Sequence, residues 1–350
     1  MRKLARLLRR HRRAVGAAVV IAAIVGFVYF VVPELSGLSG TLRRLRHADL
    51  WWIALGFVVE AISLAGYGLL FRTVFSCHGV HIGWRESYQI TLAGTVASKL
   101  LSTAGAGGVA LTVWALRASG LQPRVIARRM VTFELLLYSV FAGALLIFGA
   151  GLRIGVLPGQ APWTLTVVPA VIAAAAITLT VALAVLPLGL ERRITAGMRS
   201  SRRLLRMLSR VATAPQTLRE STRIAFAAVR GWELGVLGAP AYWGFDIAAL
   251  WAALHAFGSP PPVPAIVMAY FIGQLANVLP IPGGVGGVEG GTIGALLAFG
   301  AQGSVALLGV LAYRLISFWL PTIPGALAYF RLRRTVGGWR SADAARQTPG

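Results

Sequence analysis

Of the 34 lysines and arginines in this chain, only Lys3 and Lys99 are lysine. Cysteine is scarcer still. The single Cys77 excludes an intramolecular disulfide framework and any CxxC metal or redox pattern. Acidic residues number 11, and all charged residues together make up 13% of the chain against 57% hydrophobic residues. That balance excludes an ordinary soluble globular domain. The histidines (His11, His47, His78, His81 and His255) lack metal-ligand spacing. No nucleotide-binding P-loop, no HExxH and no nucleophile–base constellation is present, so no enzyme activity, cofactor or metal is expected.

Long apolar runs fill the space those absences leave. Ala14–Val32, Trp51–Phe71, Val131–Leu152, Trp163–Leu186, Trp232–Phe257 and Ser304–Phe330 each carry at most two charged residues. Each is long enough as a helix to cross a hydrocarbon layer ~30 Å thick. The first run follows a basic arm but has no small-residue cleavage site before Pro33, so it reads as an uncleaved anchor. The net charge of +23 lies almost wholly in loops and tails, which is a topology signal and implies no nucleic-acid partner.

Loop charges order the chain. The arm 1–13, the linker 187–230 and the tail 331–350 are strongly basic and are placed on the cytoplasmic side of the membrane. The linker, with Arg192, Arg193, Arg199, Arg202, Arg203, Arg206 and Arg210, is expected to meet anionic lipid headgroups. Between spans one and two, Leu35, Leu38, Leu42 and Leu45 recur at helical spacing beside Arg43, Arg44 and Arg46, which reads as an amphipathic helix on the outer leaflet.

Two halves, 14–186 and 231–330, share a pattern. Gly105-Ala106-Gly107-Gly108-Val109 recurs as Gly284-Val285-Gly286-Gly287-Val288, and at the same spacing Gly79 matches Gly258, Gly94 matches Gly273, Ala97 matches Ala276 and Leu100 matches Leu279. The first interrupted segment is bounded by arginines at both ends, and the second by the uncharged connections Gly258–Pro264 and Ala301–Ser304. The segments 87–116 and 265–300 are therefore expected to enter the membrane from opposite faces and turn back. The resulting expectation is an all-α polytopic protein of six full spans and two re-entrant hairpins, arranged as inverted repeats.

The breaks supply candidate site residues. Pro280, Pro282, Gly283 and Gly284 cannot continue a helix, and a half-helix restarting near Gly287 would aim free N–H groups at an anion. Close packing through small residues is the competing reading. Glu60, Lys99, Glu134, Asp246, Glu289 and Arg314 are ionisable within apolar segments, where each costs ~2.5–3.5 kcal/mol at a helix centre unless paired or facing a cavity. Glu289 and Arg314 are expected to lie within reach of each other. Lys99 is a counter-ion to a carboxylate, a phosphate contact or a snorkelling side chain. Gln274 and Asn277, one turn apart, either bond a polar headgroup or cap the break. Glu134 in Phe133-Glu134-Leu135 answers to Arg314 in Tyr313-Arg314-Leu315, and Ala110 takes the place of Glu289, so the second half is expected to hold more of the site.

The run from Leu279 to Glu289 contains a Pro-x-Pro-Gly-Gly-x-Gly-x-x-Glu element. Together with Tyr313-Arg314-Leu315-Ile316 and Trp319-Leu320-Pro321 followed by Gly325, it resembles the flippase-like transmembrane region of bacterial lysylphosphatidylglycerol synthases. The resemblance implies lipid translocation, with Glu289 and Arg314 as the positions carried over. At 350 residues the chain is expected to lack the soluble aminoacyl-transfer domain of the bifunctional members. The expected partner is a phospholipid or lipid-linked sugar. The alternative is a non-transporting scaffold, or a subunit for a separate lipid-modifying or glycosyl-transfer enzyme, for which Glu86 and Glu233 are the only acids near a membrane surface.

Overall fold

Prolines and glycines set where the helices of this chain begin and end. The computed structural model describes residues 48–76, 82–100, 106–185, 214–278 and 286–347. Helix α1 (Leu50–Phe75) opens on Asp49, whose carboxylate accepts from Trp51 N at 3.0 Å. Then follow α2 (Trp84–Leu100), α3 (Ala106–Ala118), α4 (Pro123–Arg153) and α5 (Trp163–Val185). After the linker come α6 (Ala214–Arg230), a 3₁₀ turn (Leu234–Leu237), α7 (Gly238–His255) and α8 (Val263–Gln274), the last extended by a 3₁₀ turn (Leu275–Val278). Helices α9 (Gly287–Ala298) and α10 (Gly303–Gln347) complete the order. Proline occupies the first turn of α4 and of α8, where its missing N–H costs nothing.

The protein is an all-helical, multi-pass membrane protein, with no strand among the described residues. Among the described residues, four helices are long and apolar enough to cross a bilayer: Leu50–Phe75, Pro123–Arg153, Trp163–Ala182 and the Gly303–Trp339 part of α10. Helix α7 has 18 residues. The expected span 14–32, the outer amphipathic helix and the arginine cluster 192–210 lie outside the described residues. Helix α10 runs without interruption past Phe330 into the basic tail.

The broken segments form two helical hairpins. Their legs have 17 and 13 residues in the first and 12 and 12 in the second. At 1.5 Å per residue all four are shorter than ~30 Å. Within each hairpin a glycine lets the legs touch. Gly94 lies against Thr112 Oγ1 and the Gly108 carbonyl, and Gly273 lies against Thr292 and Gly291.

The two halves use the same element order. Helices α2 and α8 begin 179 residues apart, at Trp84 and Val263, while α4 and α10 begin 180 apart, at Pro123 and Gly303. The Gly94–Thr112 and Gly273–Thr292 contacts show the same one-residue step across the turn. Helices α1 and α7 pack antiparallel, with Gly56 beside Ala249, Ser63 beside Tyr242 and Leu70 against Gly238. At the middle of this crossing the Ser63 hydroxyl donates to Tyr242 O at 2.8 Å, joining two residues 179 apart.

This crossing yields a test. A methyl group on Gly238 would overlap the backbone at Gly66 O and stand 2.7 Å from Leu70 N, whereas one on Gly244 of the same helix meets nothing within 4 Å. Gly238→Ala is expected to destabilise the purified protein by about 1–3 kcal/mol through overpacking. Gly244→Ala is expected to be neutral or slightly stabilising, because alanine favours helix. Equal melting temperatures for the two variants would refute the close α1–α7 approach.

Candidate functional site

A cavity of about 720 Å³ opens where the first hairpin meets α1, α4, α7 and the end of the second hairpin's first leg. From the first hairpin, Thr91, Gly94, Thr95, Ser98, Gly108, Val109 and Thr112 contribute. Tyr67 and Phe71 come from α1, Met130, Phe133, Glu134, Leu137 and Tyr138 from α4, and Tyr242 and Trp243 from α7. Gln274 and Asn277 close it from the second hairpin.

The walls are aromatic and held in place. Tyr67 packs edge-on against Phe133 at 5.1 Å and lies 5.0 Å from Tyr242, which in turn lies 4.9 Å from Trp243. Trp243 Nε1 donates to Leu137 O at 2.8 Å, which fixes the indole against α4. The Thr91 and Thr95 hydroxyls donate back to their own helix, to Ser87 O at 2.8 Å and Thr91 O at 2.9 Å. Their oxygens keep acceptor capacity. Asn277 Nδ2 donates to Gln274 Oε1, so the two amides act as one polar unit. Among the lining residues Glu134 is the one carboxylate. The lining therefore offers mainly acceptors, phenols and aromatic faces.

Three lining residues are exposed, Val109 at 46%, Tyr138 at 55% and Asn277. Tyr138 is the middle residue of Pro123–Arg153, so the cavity reaches mid-height of that helix.

Of the residues expected from sequence, Glu134, Gln274, Asn277 and Gly108 meet at this cavity. Gly107 lies in the first turn of α3, but Gly105, Pro280, Pro282, Gly283 and Gly284 lie outside the described residues. Lys99 belongs to α2, one position beyond Ser98, and its side chain lies outside the description. Glu60 is buried on α1 away from the lining.

Glu289 and Arg314 do meet, away from that lining. Arg314 Nε donates to Glu289 Oε1 at 2.7 Å, and both side chains are buried, 13% and 10% exposed. The other carboxylate oxygen accepts from Gly286 N at 2.7 Å, and Gly286 takes φ +83° to start α9 at Gly287. Glu289 thus caps the first N–H at the start of α9 while it pairs with Arg314. Asp246 is likewise enclosed. Its Oδ2 accepts from Tyr270 Oη at 2.6 Å and its Oδ1 from Tyr313 Oη at 2.8 Å, tying α7 to α8 and α10. Tyr313 and Arg314 are neighbours on α10, so that one turn bonds α7 and the second leg of the second hairpin.

Sequence reasoning missed the aromatic wall and the hydroxyls of α2. A period of three to four residues links Thr91, Thr95 and Ser98 on one helical face, and that polar stripe in an apolar leg was the available signal. The cavity draws chiefly on residues of the first half.

Comparison with known proteins follows this architecture. The sequence model described as the lysylphosphatidylglycerol synthase TM region matches residues 14–325. A UPF0104 membrane protein of Methanothermobacter thermautotrophicus is 23% identical over 347 residues, covering 92% of this chain and 94% of the relative. A second UPF0104 membrane protein from that organism is 24% identical over 344 residues, covering 92% and 96%.

Proposed function

The chain belongs to the family of the lysylphosphatidylglycerol synthase transmembrane region, and on that premise we propose that it moves a lipid between membrane leaflets. The observation that carries this reading is a cavity bearing polar groups that reaches the middle of α4, a helix long and apolar enough to span the membrane. Polar groups at that depth suit a molecule whose headgroup must cross while its acyl chains stay in lipid. Short hairpin legs serve the same end, because irregular backbone at membrane depth is stable only beside protein or a water-filled cavity. On this reading the hairpins are re-entrant and the halves are inverted repeats. The antiparallel α1–α7 crossing at a residue and its own counterpart is what a two-fold axis between the halves produces.

The substrate is a phospholipid or a lipid-linked sugar. Glu134, the phenols of Tyr67, Tyr138 and Tyr242, and the Gln274–Asn277 pair present acceptors and aromatic faces, which match a headgroup rich in hydroxyl or ammonium donors. The basic arm, linker and tail hold the cytoplasmic surface against anionic lipid.

The test is reconstitution of the full chain in liposomes with headgroup-labelled lipids, comparing wild type with Glu134→Gln. Translocation is expected to fall about tenfold or more, the effect of losing one charge-assisted contact. An unchanged rate in Glu134→Gln would remove the cavity as the site. No movement of any lipid class by wild type would favour the scaffold reading instead.

A further inference from the structure

Helix α6 ends on a residue that backbone geometry disfavours. Its last turn is closed by two backbone bonds, from Glu233 N to Ala228 O and from Trp232 N to Val229 O, both at 3.2 Å. This is the Schellman arrangement, in which the residue with left-handed backbone is usually glycine. Here it is Trp232, at φ +50°, and among the described residues no other non-glycine residue has a positive φ. The strain brings no packing in return, because Trp232 is 89% exposed. Phe226, Val229, Leu234 and Leu237 are exposed on either side of it in the chain.

The rest of α6 points to what covers this patch. Arg219, Arg223, Phe226 and Arg230 recur every three to four residues and share one helix face. The opposite face is fixed to α4. Buried Ser221 donates its hydroxyl to Arg128 O at 2.9 Å, and Thr132 Oγ1 donates to Ser221 O at 3.4 Å. Glu220, the only acid of α6, is paired with Arg128 Nη1 at 3.3 Å. Arg128 lies in the second turn of α4, a helix long and apolar enough to span, so α6 lies at that end of the span. Arg219 keeps Nε and Nη1 out of solvent with no acceptor among the described residues, and phosphate oxygens suit such a pair of N–H groups. Arginines beside exposed tryptophan, phenylalanine and leucine match an anionic lipid surface.

We infer that Trp232 and the arginine face of α6 form a seat for the anionic leaflet at that end of the bundle, and that this seat regulates the cavity. The seat stands on α6 alone, whereas its regulatory role rests on the translocation reading and deepens it. Ser221 and Thr132 carry the position of α6 to the turns of α4 that set Met130, Phe133 and Glu134 in the cavity wall. Lipid phosphates on the arginines and an indole in the headgroup layer favour the seated form of α6 over any other. Leaflet charge therefore biases the cavity wall through a difference in affinity between two positions of one helix.

The test reads depth and cavity separately. Full-length protein carrying Cys77→Ser receives a nitroxide at Val229→Cys, in nanodiscs of phosphatidylcholine alone or mixed with phosphatidylglycerol. At position 229, oxygen access relative to a water-soluble nickel chelate is expected to rise with phosphatidylglycerol. It is expected to fall about fivefold for each arginine replaced in Arg223→Gln and Arg230→Gln, the weight of one basic residue at an anionic surface. Trp232→Gly, which relieves the backbone strain, is expected to lower it as well. A label at Ile154→Cys, beyond the other end of α4, is expected to ignore these substitutions. A label at Met130→Cys, in the cavity wall, is expected to change its line shape between the two lipids. Ser221→Ala is expected to abolish that change and leave the depth at 229 intact. Depth at 229 that ignores both lipid charge and the arginines overturns the seat. Depth that responds while the label at 130 does not overturns the regulation. If both respond in a protein that moves no lipid, the inference stands and the translocation reading falls. If neither responds in a protein that moves lipid, the reverse holds.

Discussion

Glu289→Ala is expected to lower the stability of the purified protein by about 3–5 kcal/mol, the range for removing one partner of a buried ion pair. Two losses combine. The substitution leaves the buried Arg314 guanidinium without the carboxylate at 2.7 Å, and it uncaps α9 by taking the acceptor from Gly286 N. The reverse variant, Arg314→Met, is expected to cost less, because the cap remains and methionine fills much of the volume. A double-mutant cycle measured by thermal unfolding in lipid nanodiscs separates the terms. The pair Glu289→Ala with Arg314→Met is expected to be more stable than Glu289→Ala alone, since no cation is then left buried. Additive losses with no recovery would mean that Glu289 acts through the cap and not through the pair.

The second large effect belongs to Asp246. Asp246→Ala removes the acceptor of two buried phenols at 2.6 and 2.8 Å. An orphaned buried donor costs about 1–3 kcal/mol, so the joint loss is expected to rank with that of Glu289→Ala. Adding Tyr270→Phe and Tyr313→Phe to Asp246→Ala is expected to restore part of it, because the orphaned hydroxyls are gone and the rings still pack. A triple variant less stable than Asp246→Ala would show that the phenols find other partners and that the clamp is not the unit described.

These two contacts mark where sequence reasoning worked and where it stopped. The Glu289–Arg314 meeting was legible because both residues are ionisable in apolar segments and flank a hairpin that must pack on the next span. The Asp246 clamp was not. Its partners lie 24 and 67 residues away, and tyrosine in an apolar helix is as common on an aromatic wall as on a hydrogen bond. The cavity was half legible. Glu134, Gln274 and Asn277 stood out by polarity, whereas Tyr67, Tyr242 and Trp243 look like ordinary span residues until α1 and α7 cross and turn them inward.

What the sequence determined by itself follows from local and additive physics. Apolar length made the longest helices spans, and proline opened α4 and α8. A repeated spacing placed equivalent elements at equivalent places, with Trp84 and Val263 opening matching legs. What only the tertiary structure decided is which half is open. Glu134 and Arg314 occupy counterpart positions and each reads simply as a buried charge. One faces a cavity and the other closes on a carboxylate, because burial and pairing depend on which helix faces meet.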